Sequence, residues 1–137
     1  MRFICCALLL STAPAFAHHS LAMFDMINPV TVKGVVERFE WTNPHAHLYV
    51  NVTDNRGNVE EWVIEMDRPD FLKRNGWTGN TVKPGDIIIC TGGPAKSGAK
   101  TMRGTRVELA SGQKLRSSLH KLWQGRHLRL VDRPENC

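Results

Sequence analysis

Four histidines are spaced so that they can meet one metal ion. His18 and His19 stand side by side, and His45 and His47 lie two apart just after Pro44. If the chain is cleaved after Ala17, His18 becomes the first residue. Its free amine (ordinary pKa about 7.7 to 8.0) and its imidazole (about 6.5) then both lose protons near neutral pH and can chelate together. A third nitrogen from His45 or His19 would complete a histidine brace, the planar nitrogen arrangement that Cu(II) favours. The amine, the His19 amide and the His19 imidazole can also bind Cu(II) without help from a folded domain. The competing reading is a solvated polar lead. Ser20 holds the third place, where a stronger amino-terminal copper motif would carry His.

Other residue types admit two readings each. Side chains repeat with period two along a strand, so His45 and His47 face the same way if a strand has already begun there. Such a pair either shares a metal or makes ordinary surface hydrogen bonds. Met23 and Met26 offer soft sulfur of the kind Cu(I) prefers, yet methionines usually fill gaps in a core. Glu61, Glu65 and Asp67 supply either a carboxylate ligand or a solvated outer face, with Glu61 and Glu65 on one side of a strand. Trp41, Trp62 and Trp77 suit a stacking platform for a sugar or base, or a barrel core. Lys96, Lys100, Arg103 and Arg106 gather charge that serves an anionic ligand or plain solubility. No Ser-His-Asp order, phosphate loop or cysteine-spaced zinc motif is present.

The compartment matters to all of these. Arg2, the apolar run Phe3 to Leu10 and Ala15-Phe16-Ala17 have the form of a secretory signal peptide over residues 1–17, and the run is too short to span a bilayer. The expected product is therefore periplasmic or secreted, without a membrane anchor, and a nucleic-acid partner is not expected. Loss of Arg2 lowers the net charge from +5 to +4, a weak bias towards acidic partners. An oxidising compartment allows Cys90 and Cys137 to pair. Alternatively Cys90 is a buried thiol after Ile87-Ile88-Ile89 and Cys137 a free one in the tail.

What must position the site is a small domain over residues 18–115, followed by an appendage at 116–137. Val30 to Trp41 reads as a strand bent or bulged at Gly34. Ala46 to Thr53 alternates Leu48, Val50 and Val52 with polar neighbours, and Asp54-Asn55-Arg56-Gly57 turns it into a returning strand over Val59 to Met66. Pro69 to Asn75, with Asp70 in its first turn and Gly76 after its end, reads as a short helix. Lys83-Pro84-Gly85-Asp86 leads into the apolar strand Ile87 to Thr91, and a glycine-rich loop precedes a last strand over Thr101 to Leu109. The fold class is mainly β: a small five-stranded OB-like antiparallel barrel with one short helix between strands three and four. A split antiparallel sheet is the alternative, but it would leave edges open. In the appendage, Ser118 can cap a turn carrying Leu119, Leu122 and Trp123, and His127 to Val131 can add a strand.

His18-His19-Ser20 with Phe24, Trp41-Thr42-Asn43-Pro44-His45, Glu61-Trp62 with Glu65, Asn75-Gly76-Trp77 and Lys83-Pro84-Gly85-Asp86 together resemble a family of small exported bacterial proteins classed as a domain of unknown function. The resemblance covers residues 18–115. It implies an exported single β-rich domain and no established activity. His47 and the tail beyond Lys114 depart from the family pattern. The expected function is a non-enzymatic exported protein that binds or handles copper through His18, His19 and His45, with His47 as an extra ligand. The rivals are a metal-free barrel that binds a protein or glycan partner and, last, a copper-dependent oxidase.

Overall fold

The computed structural model describes residues 21–119 and 129–130. Five long strands form: β1 (Val30–Glu40), β2 (His47–Thr53), β3 (Val59–Glu65), β4 (Ile87–Pro94) and β5 (Thr101–Leu109), with helix α1 (Pro69–Arg74) between β3 and β4. Their hydrogen-bonded order is β2-β3-β5-β4-β1, and β1 also pairs with β2, so the sheet closes on itself. This is the expected OB-like barrel. Pairing is antiparallel in β1–β2, β1–β4, β2–β3 and β4–β5, whereas β3 and β5 run parallel. Parallel neighbours need a long crossover, and here α1 and β4 lie between them.

The alternation read from the sequence sets the inner face. Leu48, Val50 and Val52 of β2, Trp62 and Ile64 of β3, Ile88 and Cys90 of β4, and Met102 and Val107 of β5 are all buried in one core. Pro69 starts α1, where a missing N–H costs nothing, and Phe71 and Leu72 turn inwards beside Trp77. Trp77 is fully buried and donates its indole N–H to the Arg116 carbonyl at 2.8 Å. Trp62 is buried too, and the part-buried Trp41 meets Phe39 edge-on at 5.5 Å. Trp41, Trp62 and Trp77 are therefore packing residues, while Lys96 and Lys100 are exposed.

Gly34 does not bulge the first strand. The irregularity in β1 falls between Val36 and Arg38, and Gly34 instead marks where β1 stops facing β4 alone and begins to face β2. A Cβ at this position would stand 2.5 Å from the Asn51 carbonyl oxygen and 2.7 Å from Val50 Cγ1. The glycine is needed for close approach rather than for a bulge.

Two short strands complete the sheet. β6 (Lys114–Arg116) pairs with the far half of β5, and β7 (Arg129–Leu130) pairs in parallel with the start of β1. The strand expected within His127 to Val131 corresponds to β7. The leader, His18, His19, Cys137 and the expected turn through Leu122 and Trp123 lie outside the described residues.

Gly34→Ala should lower stability by about 1–3 kcal/mol, because the methyl group must displace packed backbone. Urea unfolding of the variant beside the parent protein measures this.

Candidate functional site

Directly opposed residues on paired strands share a face of the sheet. The registers put Gly93, Arg103, Glu65 and His47 in one row across β4, β5, β3 and β2. Their strand neighbours Ile64 and Met102 point into the core, so this row lies on the outer face of the barrel. The outer face was expected to be solvated. At Glu65, Asp67 and Arg103 that expectation fails: they are 8 %, 6 % and 3 % exposed.

What covers them is a set of segments tied down by backbone hydrogen bonds. Beyond β3, Met66 N–H donates to the Ala46 carbonyl and Asp67 N–H donates to the Ser117 carbonyl. Leu119 and Arg68 donate backbone N–H groups to the two Asp67 carboxylate oxygens at 2.9 and 3.0 Å. Beneath this roof Arg103 Nη1 donates to Glu65 Oε1 at 2.7 Å and to the Met66 carbonyl at 2.8 Å, while Nη2 lies 3.5 Å from Asp67 Oδ2. Its Nε meets no acceptor among the described residues. A guanidinium out of water is tolerable only with such partners.

His45 closes the network. It precedes β2, after the cis Asn43–Pro44 peptide, and Thr42 Oγ1 donates to its carbonyl. Its Nδ1 lies 2.9 Å from Glu65 Oε1, with the His45 side chain 30 % exposed. Burial and the nearby charge of Arg103 push the imidazole below its ordinary value of 6.5, against the pull of Glu65 and Asp67. The ring is therefore neutral at pH 7, the state in which imidazole binds metals. His47, one row-place from Glu65, is part-buried and close enough to His45 to interact electrostatically.

The chain just after His19 reaches the other end of this row. Leu21–Met23 forms a 3₁₀ turn, Phe24 is buried and bridges to Ala95, Asp25 N–H donates to the Pro94 carbonyl, and Lys96 N–H donates to the Met23 carbonyl. Gly93 makes room for it, since a Cβ there would stand 2.5 Å from Met26 Sδ. Met23 is 49 % exposed, so neither methionine fills the core. From Gly93 to His47 is three strand spacings of about 4.8 Å, or about 14 Å around the barrel.

Of the four expected ligands, the structure describes His45 and His47 and brings them to one place. Among the described residues no group of three or more His, Cys, Asp or Glu is arranged to hold a metal. Glu65, Asp67 and Arg103 were missed as a unit. Their signal is a pair of carboxylates around Met66 at the end of the apolar stretch that includes Trp62 and Ile64. Cys90 is a free, buried thiol whose pKa burial pushes up to about 12. It carries no thiolate chemistry near neutral pH, and the partner expected for it, Cys137, lies outside the described residues.

The sequence profile of a family described as Family of unknown function (DUF6152) matches residues 7–125. No curated protein and no solved structure matches the chain.

Arg103→Met would leave Glu65 and Asp67 as neighbouring buried carboxylates, and it should destabilise the domain by about 3–5 kcal/mol at neutral pH, read by urea unfolding. A second outcome concerns acid. Burial raises the affinity of Asp67 for a proton, but the Leu119 and Arg68 N–H groups and the charge of Arg103 outweigh it and hold the carboxyl below 3.8. The unfolded chain then binds the proton first, so this contribution is present above 3.8 and disappears as pH falls through the lower folded value. Asp67→Asn should flatten that part of the acid unfolding profile.

Proposed function

This chain belongs to the family of unknown function DUF6152, and we propose that it is an exported, non-enzymatic periplasmic protein that binds or handles copper. The leader at 1–17 is cleaved, His18 becomes the terminal residue, and His18, His19 and His45 supply the ligands, with His47 as an additional one. The observation that carries this reading is a shared face. The segment following His19 is docked at Gly93, on the same outer-face row that ends at His47 and holds the carboxylate anchoring His45. An N-terminal segment running to the opposite end of the barrel would have spoken against a shared site. The neutral ring of His45 adds to the case.

A metal-free module that binds a protein or glycan partner is the second reading. It is favoured by Val35 and Ile87, which are cross-strand partners and are 42 % and 49 % exposed. Ile87 also lines a shallow cleft of about 190 Å³ with Leu109 and Thr81.

Mature protein beginning at His18 should bind one equivalent of Cu(II), with an affinity that drops as pH falls through the histidine range because protons compete for the same nitrogens. Isothermal titration of parent and His45→Ala proteins checks both points. His45→Ala should bind more weakly. Equal affinities would mean that His18 and His19 chelate copper as a loose peptide, and no binding at neutral pH would leave the metal-free module.

A further inference from the structure

We infer that Glu65 is a positioning residue that holds His45 in its Nδ1–H tautomer and so makes Nε2 the donor atom offered to a metal. The second half of this statement rests on the copper reading; the first does not.

A carboxylate only accepts hydrogen bonds, so the 2.9 Å contact between His45 Nδ1 and Glu65 Oε1 requires the proton on Nδ1. The same oxygen takes the Arg103 Nη1 donor at 2.7 Å. Glu65 cannot swing away from His45 without stripping a buried guanidinium of its shortest contact. Its side chain is 10 % exposed and that of Arg103 is 4 % exposed, so water is a poor substitute for either partner. The backbone is fixed on both sides, because Met66 N–H donates to the Ala46 carbonyl and Ala46 N–H to the Asp67 carbonyl. The ring is therefore oriented by one nitrogen, and with Nδ1 protonated a neutral ring carries its lone pair on Nε2. A histidine whose second nitrogen donates to a carboxylate is the arrangement that sets tautomer, orientation and basicity at metal centres.

Glu65→Gln and Glu65→Leu are an informative pair, because one oxygen serves both partners. Arg103 has only donors, so in Glu65→Gln it holds the amide oxygen at the place of Oε1, the atom that His45 Nδ1 also meets. The Nδ1–H form is then kept without the carboxylate charge. Glu65→Leu removes the acceptor, and the proton is no longer held on Nδ1.

The test uses ¹⁵N-labelled mature protein without metal, with two-bond nitrogen–proton correlations identifying the protonated ring nitrogen of His45. The parent and Glu65→Gln should both show the Nδ1–H pattern, and Glu65→Leu should lose it, with Cu(II) affinity of Glu65→Leu lower by about 10-fold or more. An Nε2–H pattern in the parent or in Glu65→Gln, or a pure Nδ1–H pattern retained in Glu65→Leu, overturns the assignment. Should Glu65→Leu fail to fold, the double variant Glu65→Met with Arg103→Met removes both charges together; retention of a pure Nδ1–H form there overturns it equally. Loss of the Nδ1–H form in Glu65→Leu with Cu(II) affinity equal to the parent overturns Nε2 as the donor. Loss of that form without copper binding by either protein upholds the role of Glu65 and sinks the copper reading alone.

Discussion

The buried charge of Arg103 is the constraint around which this end of the molecule is arranged. Arg103 sits on the outer face of β5 and yet has almost no contact with solvent. A guanidinium removed from water must find acceptors close by. Glu65 on the neighbouring strand, the Met66 carbonyl and Asp67 supply them. Asp67 is in turn held by backbone from residues 68 and 119, and Glu65 by its contact with His45. The end of β3, the turn before β2 and the segment after β6 are thus all committed to one side chain.

This arrangement also bears on how the barrel closes. β3 and β5 share only three register pairs, Val63 with Thr101, Ile64 with Met102 and Glu65 with Arg103. The middle pair joins the apolar interior, whereas the last is the ion pair on the outside. Stability comes mainly from the interior, where Leu48, Ile64, Met102 and their neighbours lose their contact with water. The ion pair adds direction, since it is satisfied in one register of β3 against β5 and its partners in no other.

The sequence was legible wherever one side of an element meets the core. Leu48, Val50 and Val52 announce β2 by alternation, Pro69 and Gly76 bracket α1, and the ends of β5 fall where the glycine loop and Ser111-Gly112 put them. Period-two reasoning also put Glu61 and Glu65 on one face. It could not say that Glu61 stays in water while Glu65 is roofed, because parity names a face and not what lies over it. The roof comes from residues 45 and 117–119, distant in sequence from both. Arg103 was misread for the same reason. β6 is only three residues long and has no period to detect. Gly34 was read as a bend or bulge because a glycine inside a strand has several uses, and only the nearness of Asn51 shows that it serves close approach.

The two short strands have a further consequence. Each strand of a closed barrel is fully paired only where both neighbours reach it, and here β5 outruns β3 just as the start of β1 lies beyond β2. Both overhangs would present unpaired N–H and C=O groups, the template from which chains recruit one another into extended sheets. β6 covers the first and β7 meets the second. The region beyond β5 thus acts as a guard against self-association. A chain that ended at Leu109 would keep most of its core and lose its defence against its own copies.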